Sequence, residues 1–474
     1  MKISELFYPK AIKNLKEDAA VKGITSDSRK VKPGYIFVAI RGKTFDGHEF
    51  IREAEENGAI GFVVEREVKT GKPYVIVENA REYMAIISKK FYKPFIKDLK
   101  IIGITGTNGK TTTAYFTQQI LNNAKIKTAN FGTVVYDTLN KKYPALRTTP
   151  ESADIYEFLK ESRENGANAV VMEVSSAGLK EKRVDTLDFY AAVFTNFSRE
   201  HLEYHPTMED YFNSKKKLFT KLNPKYGIFN IDCEASLKIL GDYKGTSITF
   251  GLEKGDLRGY ILKDSLRELV IRVEGKMEGI YNIPVGLRFN AYNFLAALSV
   301  AHVMGLSPDE IYTENLKTPP GRMEHVKNSK GLLIFVDYAH TKEAIEKLLV
   351  SVKPYVKGRL IIVFGAGGDR DPGKRPLMGR AATRYADISI ITSDNPRSED
   401  PEKIIQDILK GITGDNRYIV EPDRKKAIKM AISLMEKEDV LIIAGKGHET
   451  YQEIKGKKYP FDDRKIAKEI VEAL

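Results

Sequence analysis

The stretch that decides the fold is Gly106-Thr107-Asn108-Gly109-Lys110-Thr111-Thr112. An apolar run at 99–104 predicts a buried strand before it, and residues 113–124 predict a helix after it. This order of strand, glycine turn, Lys-Thr pair and helix is the layout of a phosphate-binding loop. In such a loop, backbone N–H groups, the helix N-terminus and Lys110 attract phosphate. Thr111 is placed to hold magnesium. The alternative is an ordinary glycine-rich turn, since position 104 is Ile and the upstream glycine is Gly103.

Length and composition restrict the class of protein. With 474 residues, 42% hydrophobic and 30% charged, the chain is typical of a globular protein with about three domains. No apolar run approaches ~18 residues, so we expect no membrane insertion and no signal peptide. The single cysteine, Cys233, predicts no internal disulfide and a cytoplasmic location. The net charge of +12 fits small polyanionic substrates or solubility, and without a nucleic-acid-binding motif we expect no nucleic-acid partner.

Hydrophobic patterning divides the chain into three α/β parts. We predict a small mixed α/β domain over residues 1–98, a central P-loop domain with a mostly parallel sheet over 99–322, and a C-terminal doubly wound, Rossmann-like domain over 323–474. The segment 318–322 is typical of a linker. Strands predicted in the first two parts include 35–40, 60–64, 169–174 and 190–195.

In the last part, four predicted strands are each followed by a polar, glycine-rich loop. The strands are 332–338, 360–365, 388–392 and 440–444, with helices between them at 342–352, 401–412 and 425–435. The loops are Asp337-Tyr-Ala-His340, Gly365-Ala-Gly-Gly-Asp-Arg-Asp371, Asp394-Asn-Pro-Arg-Ser-Glu-Asp-Pro401 and Gly445-Lys-Gly-His-Glu449. Because parallel strands end at one edge of a sheet, the loops form one rim that suits a zwitterionic or phosphorylated ligand. Taken singly, each loop is also compatible with an ordinary turn.

The middle part offers candidate magnesium ligands. Glu173 closes one predicted strand, and Thr195-Asn196 closes another shortly before His201. A carboxylate and an imidazole at neighbouring strand ends can hold magnesium directly or through water, and a hydrogen-bonded structural histidine is the alternative for His201. Farther on, Ser214-Lys-Lys-Lys-Leu-Phe219 predicts a basic helical face, and the pattern alone favours solvated charge there.

Ordered motifs along nearly the whole chain resemble those of the Mur ligase family, ATP-dependent amide-bond-forming enzymes of cell-wall peptide synthesis. The motifs are Ser26-Asp-Ser-Arg29, Asp46-Gly-His48, the Gly106 loop, Thr148-Thr-Pro150, Glu173-Val-Ser-Ser176, Thr195-Asn196, His201, Phe289-Asn-Ala-Tyr-Asn293, Gly321-Arg-Met-Glu324 and Asp337-Tyr-Ala-His340. Within the family, the chain is similar to the type that extends UDP-MurNAc-L-Ala-D-Glu by a third residue. The resemblance implies a monomer that uses ATP and Mg²⁺ to join meso-diaminopimelate to the D-Glu γ-carboxylate through an acyl phosphate.

The resemblance also implies roles for individual residues. It assigns ATP binding to Gly106, Thr107, Asn108, Gly109, Lys110, Thr111, Thr112, Asn290, Asn293, Arg322, Asp337 and His340. It assigns the UDP-sugar-peptide to Ser28, His48, Thr148, Thr149, Ser175 and Arg183. Lys110, Glu173, His201 and Lys215 are implied as catalytic, and Thr111, Glu173, His201 and Lys215 as metal-binding. The family pattern makes Lys215 a carbamylated lysine at a second magnesium, with Lys216 and Lys217 as ordinary neighbours.

The loop 394–397 is similar to that of family members that select meso-diaminopimelate. This amino acid has a second carboxylate that lysine lacks, and a guanidinium binds a carboxylate through two parallel hydrogen bonds. We therefore expect Arg397 to select diaminopimelate, and its unpaired charge to disfavour lysine. The resemblance adds Arg370, Asp394, Asn395, Gly445 and Glu449 to this amino-acid site, with Glu449 at the distal ammonium.

Four features depart from the family pattern and keep alternatives open. Ala177 replaces a usual histidine, Glu200 replaces aspartate, 204–206 reads Tyr-His-Pro rather than Tyr-His-Gly, and Lys342 replaces proline. A Mur-type ligase that adds L-lysine, or that acts on another UDP-linked peptide as an archaeal pseudomurein peptide ligase does, also fits. Folylpolyglutamate synthase shares the ATP core but should lack the first domain and the Arg397 loop. A P-loop ATPase without ligation is a different class, which needs neither four strand-end loops nor Lys215.

Overall fold

The computed structural model describes residues 1–8, 11–42, 45–198, 204–413 and 417–474. Internal contacts divide the chain into two compact α/β units. The first unit comprises Met1–Tyr260, Arg272–Tyr281 and Ala291–Thr313, and the second comprises Ile261–Ile271, Asn282–Asn290 and Glu314–Leu474. The domain boundaries expected at 98 and 322 stay a prediction. Within the ranges described, no helix combines the length and the hydrophobicity needed to cross a membrane.

The elements are numbered along the chain. The helices are α1 Ile3–Leu6, α2 Ile51–Glu56, α3 Ala80–Tyr92, α4 Lys110–Asn123, α5 Ser152–Glu164, α6 Ser176–Lys180, α7 Met208–Thr220, α8 Glu234–Asp242, α9 Phe289–Val303, α10 Lys342–Val352, α11 Lys374–Tyr385, α12 Pro401–Leu409, α13 Arg424–Leu434 and α14 Asp463–Glu472. The strands are β1 Ile12–Lys13, β2 Gly23–Thr25, β3 Tyr35–Val38, β4 Ala59–Val64, β5 Tyr74–Ile76, β6 Lys100–Thr105, β7 Thr128–Phe131, β8 Val135–Asp137, β9 Lys142–Pro144, β10 Ala169–Glu173, β11 Phe189–Phe194, β12 Tyr226–Asn230, β13 Thr246–Gly251, β14 Leu257–Asp264, β15 Leu269–Gly275, β16 Gly279–Ile283, β17 Glu324–His325, β18 Leu333–Asp337, β19 Leu360–Phe364, β20 Ile388–Ile391, β21 Tyr418–Val420, β22 Val440–Ala444, β23 Tyr451–Ile454 and β24 Lys457–Pro460.

The first sheet has the order β1-β5-β4-β3-β2 and is parallel except where β1 meets β5. Successive side chains of β3 point to opposite faces, so Ile36 and Val38 enter one core while Phe37 enters another. Ile51 and Ala54 of α2 belong to the same core as Phe37. Both faces of this small sheet are therefore covered.

The central sheet has the order β16-β15-β14-β13-β12-β11-β6-β10-β7-β8-β9. The strands from β13 to β7 in this order are parallel to their neighbours, whereas β8 and β9 are added antiparallel. Because β6, β10 and β11 are adjacent and parallel, their carboxyl ends bring Thr105, Glu173 and Phe194 to one edge. The phosphate loop leaves the sheet at this edge.

The last sheet lies in the second unit and has the order β17-β18-β22-β19-β20-β21. It is parallel apart from β17. Apolar side chains of α10, α11 and α12 pack with one face, and those of α13 and α14 pack with the other. Helices on both faces make this sheet doubly wound, as predicted. Because its four central strands are parallel, all four predicted loops lie at the carboxyl edge.

The predicted elements match closely, with shifted ends. The phosphate-loop helix begins at Lys110 rather than at Thr113, because Gly109 adopts φ +84° as its N-cap and the helix follows at once. The helix predicted at 401–412 ends at Leu409. The hairpin of β23 and β24 was not predicted.

Candidate active site

The phosphate loop joins β6 to the N-terminus of α4. Gly106 and Gly109 have φ values of +145° and +84°. A Cβ at Gly106 would lie 2.0 Å from Thr195 Oγ1, and one at Gly109 would lie 2.4 Å from Asn293 Oδ1, so only glycine fits at either position. The Lys110 ammonium donates to two carbonyls of the loop at 2.9 and 3.0 Å. Glycine turn, helix N-terminus and lysine are thus assembled in one place.

Side chains from neighbouring elements fix the loop. Thr195 Oγ1 donates to the Asn108 carbonyl at 2.7 Å, and the Asn108 N–H donates to Asn196 Oδ1 at 3.0 Å. Thr113 Oγ1 donates to Asn293 Oδ1 at 3.3 Å, so Asn293 lies against the loop. Asn290 belongs to the second unit, where its amide donates to the Gly286 carbonyl at 2.7 Å.

Lys215 is the one member of the three-lysine run that turns inward. It is 1% exposed, and its Nζ donates to the Gly106 carbonyl at 2.8 Å. The same ammonium lies 4.7 Å from the ring centroid of Tyr211. Lys216 forms an ion pair with Asp242 on the helix surface. The interpretation of this run as solvated charge is therefore wrong for Lys215, and its carbamylation stays a prediction.

Glu173 connects the phosphate loop with the loop after β7. The side chain is 1% exposed, and its Oε2 accepts hydrogen bonds from the hydroxyls of Thr111 at 3.0 Å and Thr133 at 3.1 Å. Its Oε1 accepts from the Thr133 N–H at 2.8 Å. Oxygen ligands are those that Mg²⁺ prefers, and Thr111 and Glu173 offer a hydroxyl and a carboxylate side by side. No sequence motif singles out Thr133.

The remaining predicted metal ligand, His201, lies outside the described residues, as does Glu200. In the part of the chain that is described, no group of three His, Cys, Asp or Glu side chains is arranged to hold a metal ion. Thr111 and Glu173 could therefore supply only part of a magnesium ligand set, and magnesium at this pair stays a prediction. A complete set needs further oxygens from water or substrate, which is how magnesium sites in phosphoryl-transfer enzymes are built.

Four residues predicted to hold the sugar-peptide form a continuous network. Thr133 Oγ1 lies 3.1 Å from Thr148 Oγ1. Thr149 Oγ1 donates to the Glu173 carbonyl at 2.9 Å and lies 3.1 Å from Ser175 Oγ. Arg183 donates through Nη1 to the Thr149 carbonyl at 2.8 Å, so the network continues directly from Glu173.

Two glutamates, Glu151 and Glu181, balance the charge of Arg183. Arg81 pairs with both glutamates, and no sequence motif predicted it.

Ser28 and His48 lie in two short helical turns of the first unit that both contact α2. Ser28 Oγ donates to Glu53 Oε2 at 3.1 Å. The His48 ring is held at both nitrogens, with Nδ1 2.6 Å from Asp46 Oδ1 and Nε2 accepting from the Glu65 N–H at 2.9 Å. Burial raises the pKa of Asp46, but the hydrogen bonds from His48 outweigh it and lower that pKa to about 2. His48 therefore orders the turn, and a contact from it to UDP stays a prediction.

Asp337 ends β18 in the second unit and is buried. Its Oδ2 accepts from the Met323 N–H and its Oδ1 from the Ala339 N–H, both at 2.8 Å. Burial raises the pKa of Asp337, although the nearby Arg322 guanidinium and these two hydrogen bonds act against the rise. The carboxylate thus connects the segment after the predicted linker with the first strand-end loop, where His340 is exposed.

The loops after β20 and β22 meet at the rim. Gly445 has φ +113°, and a Cβ there would lie 2.5 Å from Asp394 Oδ2. Asn395 donates through Nδ2 to Glu449 Oε2 at 2.7 Å. Four of the residues predicted to bind the amino acid, from two separate loops, are therefore in direct contact.

Arg397 lies at the edge of this cluster. It has φ +52°, and its Nη1 donates to the Gly368 carbonyl at 2.6 Å. Its Nε lies 3.7 Å from Glu453 Oε2 on the unpredicted hairpin. Arg370 is exposed on the same loop as Gly368. The structure thus places Arg397 and Arg370 on neighbouring loops, and their binding of the amino acid stays a prediction.

Three features of the rim were missed. Lys446 lies in the predicted loop 445–449 without a predicted role, and it is fully buried. Arg424 and Asp463 form a buried ion pair at 2.7 Å, from which Arg424 also donates to the Ala444 carbonyl at 2.9 Å. The hairpin that carries Glu453 has four exposed residues in its second strand, so its sequence has no hydrophobic alternation that could have predicted it.

The structure has a phosphate loop, a buried lysine that donates to this loop, and a separate doubly wound sheet with a charged rim. These features are typical of nucleotide-dependent enzymes. Residues 20–101 match the Mur ligase family catalytic domain, residues 104–301 the Mur ligase middle domain, and residues 321–447 the Mur ligase glutamate ligase domain. The chain belongs to the Mur ligase family, as its motifs predicted.

Individual relatives indicate which type of Mur ligase the chain is similar to. The chain is 47% identical to the UDP-N-acetylmuramoyl-L-alanyl-D-glutamate–2,6-diaminopimelate ligase of Aquifex aeolicus, over 95% of this chain and 94% of the relative. It is 44% identical to the enzyme of that name from Caldanaerobacter subterraneus subsp. tengcongensis, over 95% of each. A solved structure of a ligase of that name is 32% identical, covers 100% of this chain and 99% of its own, and has a TM-score of 0.69.

Proposed function

We propose that this protein joins meso-diaminopimelate to the γ-carboxylate of D-Glu in UDP-MurNAc-L-Ala-D-Glu, with ATP as the energy source. The reaction serves peptidoglycan precursor synthesis in the cytoplasm, and the protein acts as a monomer. The observation that carries the proposal is the similarity to diaminopimelate ligases over 95% of the chain at 47% identity. Arg397 at the rim supports the choice of amino acid, because a guanidinium matches the second carboxylate of diaminopimelate.

The phosphate loop fits ATP. Gly106 and Gly109 let the loop backbone lie against Thr195 and Asn293, where any Cβ would clash, and the N-terminus of α4 with Lys110 supplies positive charge to a polyphosphate. In the family pattern, Asn290, Asn293, Arg322, Asp337 and His340 complete the nucleotide contacts. Magnesium would be held by Thr111 and Glu173, with His201 and carbamylated Lys215 at a second ion, and would neutralise charge on the phosphates.

The chemistry needs two anionic reactants, ATP and the UDP-linked dipeptide, to approach each other and the zwitterionic diaminopimelate. The D-Glu γ-carboxylate attacks the γ-phosphorus of ATP, ADP leaves, and an acyl phosphate forms. The neutral amine of diaminopimelate then attacks the acyl carbon, the tetrahedral intermediate loses phosphate, and the amine proton passes to solvent. The protein contributes little covalent work. Lys110 and the loop N–H groups bind phosphate oxygens, and Thr148, Thr149, Ser175 and Arg183 orient the acceptor peptide.

The test is ATP-dependent phosphate release with UDP-MurNAc-L-Ala-D-Glu, with meso-diaminopimelate and L-lysine supplied separately and the product mass read. We expect turnover with diaminopimelate only. Turnover with lysine alone would overturn the choice of amino acid but keep the ligase. No turnover with either would indicate another acceptor peptide, as the departures at Ala177 and Glu200 allow.

Arg397→Ala tests the selector in the same assay. Loss of a bidentate carboxylate contact should raise the KM for diaminopimelate roughly ten- to a hundredfold and leave the KM for ATP unchanged. Arg380→Ala, at an exposed position of α11, is the matched control and should behave as wild type. An unchanged KM for diaminopimelate in Arg397→Ala would contradict the assignment.

A further inference from the structure

Lys446 is a fully buried cation in the loop after β22. Its Nζ donates to Asn395 Oδ1 at 3.2 Å, to Glu449 Oε2 at 3.3 Å and to the backbone carbonyl of Tyr451. A buried ammonium is unfavourable unless its hydrogen bonds are satisfied, and all three of its N–H groups have acceptors here. Two of those acceptors are side chains proposed to bind the incoming amino acid.

The hydrogen bonds around Lys446 leave little freedom to its partners. Asn395 Oδ1 also accepts from the Glu453 N–H at 2.9 Å, which orients the amide so that Nδ2 faces Glu449. Glu449 Oε2 therefore receives two donors, from Asn395 at 2.7 Å and from Lys446 at 3.3 Å. Across the described residues, Glu449 Oε1 accepts no hydrogen bond. One carboxylate oxygen is occupied by the protein, and the other is left for a ligand.

We propose that Lys446 is a positioning residue of the amino-acid site, which holds Asn395 and Glu449 in one arrangement and leaves Glu449 Oε1 to receive the substrate ammonium. The proposal rests on the proposed function, because that function supplies the diamino acid. Lys446 also connects the loops after β20 and β22 with the start of the hairpin at Tyr451. Without its ammonium, Asn395 and Glu449 lose a shared donor, and Glu449 is free to rotate away from the substrate.

The experiment compares wild type with Lys446→Met, which keeps length and apolar volume but removes all three donors. We expect the KM for diaminopimelate to rise roughly ten- to a hundredfold, the size of losing hydrogen bonds to a charged group, with the KM values for ATP and the UDP-dipeptide unchanged. Lys457→Met, an exposed lysine of β24, is the matched control and should leave every KM unchanged. Equal rises in all three KM values, or no rise, would overturn the proposal.

A double-mutant cycle separates positioning from a merely structural effect. If Lys446 acts through Glu449, Lys446→Met adds little to the KM defect of Glu449→Gln, whereas independent effects multiply. Lys446→Gln is the milder second variant, and a cooperative thermal melt of either variant shows that it folds. If neither variant unfolds cooperatively, Lys446 is a folding residue and the proposal is overturned.

A crystal structure of Lys446→Met tests the proposal independently of turnover. We expect the Asn395 amide and the Glu449 carboxylate to leave their wild-type positions, and unchanged positions would overturn the proposal. Failure of wild type to use diaminopimelate instead contradicts the proposed function, and the crystal structure still decides the role of Lys446. The two failures are therefore distinguishable.

Discussion

At the residue scale, Gly132 determines where the Glu173 carboxylate lies. A Cβ at Gly132 would be 2.2 Å from Glu173 Oε1, and Gly132 is not one of the glycines with positive φ, so the contact with this carboxylate is what disfavours alanine there. Gly132→Ala should therefore push the carboxylate away from Thr111. We expect the Mg²⁺ concentration for half-maximal activity to rise roughly tenfold, the order found when residues that support a metal site are changed. A magnesium titration of the ligase reaction measures this.

Gly241→Ala is the control for that substitution. Gly241 lies in α8, and a Cβ there meets nothing within 4 Å. We expect its magnesium dependence to match wild type, with stability raised by about 0.5–1 kcal/mol because alanine favours a helix. An unchanged magnesium dependence in Gly132→Ala would mean that Glu173 does not act at the metal.

His448 should make stability depend on pH. Burial lowers its pKa to about 4, with the Arg322 and Arg464 guanidinium groups acting in the same direction. Its Nδ1 is buried without a partner among the described residues. An unfolded histidine titrates near 6.5, so the unfolded state binds the proton first, and stability is lost as pH falls from about 6.5 to about 4. Denaturant unfolding at pH 7 and pH 5 should show a loss about 1–2 kcal/mol larger in wild type than in His448→Gln. An equal loss in both proteins would refute the assignment.

The sequence indicated the position of a residue where a local motif requires it. It did not indicate the burial of a charged residue whose partners lie far along the chain. Gly106 and Lys110 were predicted because the turn and the helix N-terminus are contiguous with them. Lys446 and Arg424 were not, because a lysine or arginine is ordinarily exposed, and only partners far along the chain allow burial. Family resemblance alone distinguished Lys215 from its neighbours Lys216 and Lys217.

At the element scale, prediction succeeded for buried parallel strands and failed for exposed ones. β22 was predicted with both ends correct, since five consecutive apolar residues stand between charged segments. β8 and β9 are short strands at one end of the central sheet, where β8 pairs with β7 and β9 pairs with β8, and this pairing depends on tertiary contacts rather than on hydrophobic periodicity. The hairpin of β23 and β24 escaped prediction for the same reason.

That hairpin makes backbone hydrogen bonds to Arg397, and a substitution in its turn tests whether it holds the loop 394–401 in place. The Arg397 N–H donates to the Glu453 carbonyl at 3.0 Å, and the Lys455 N–H donates to the Arg397 carbonyl at 2.6 Å. Lys455 and Gly456 both have positive φ, the conformation that a two-residue hairpin turn requires. Gly456→Val should strain the turn, so we expect faster amide hydrogen exchange at Arg397 and Lys455.

Gly331→Val is the matched control for the hairpin. Gly331 also has positive φ, +71°, and open space around its Cβ, but it lies in the loop before β18. Both substitutions introduce similar backbone strain, of about 1–2 kcal/mol. Only Gly456→Val should change amide exchange at Arg397, and equal exchange in the two variants would show that the hairpin does not hold the loop 394–401.

At the scale of the whole molecule, the second unit includes residues that precede the boundary expected at 322. Its sheet and five helices lie within 323–474, and helices cover both faces. Yet Leu266 and Leu287, from outside that range, enter its core, and Tyr355 donates to Asp264 at 2.5 Å. A boundary at 322 would therefore keep nearly all of this core together but would exclude Leu266, Leu287 and Asp264.

We predict that residues 323–474 fold alone but are less stable than the same unit in the full chain. The loss of two core leucines should lower the free energy of unfolding by roughly 2–5 kcal/mol for each, the range for removing one buried leucine side chain. A fragment of residues 314–474 is the matched comparison, because a Cβ on its Gly321 would lie 2.1 Å from Gly447, which shows how closely this segment packs on the rim. Urea denaturation followed by circular dichroism should give cooperative transitions for both, with the longer fragment more stable. A folded 314–474 with an unfolded 323–474 would move the boundary before the linker. Two unfolded fragments would show that the segments around Leu266 and Leu287 are indispensable to the unit.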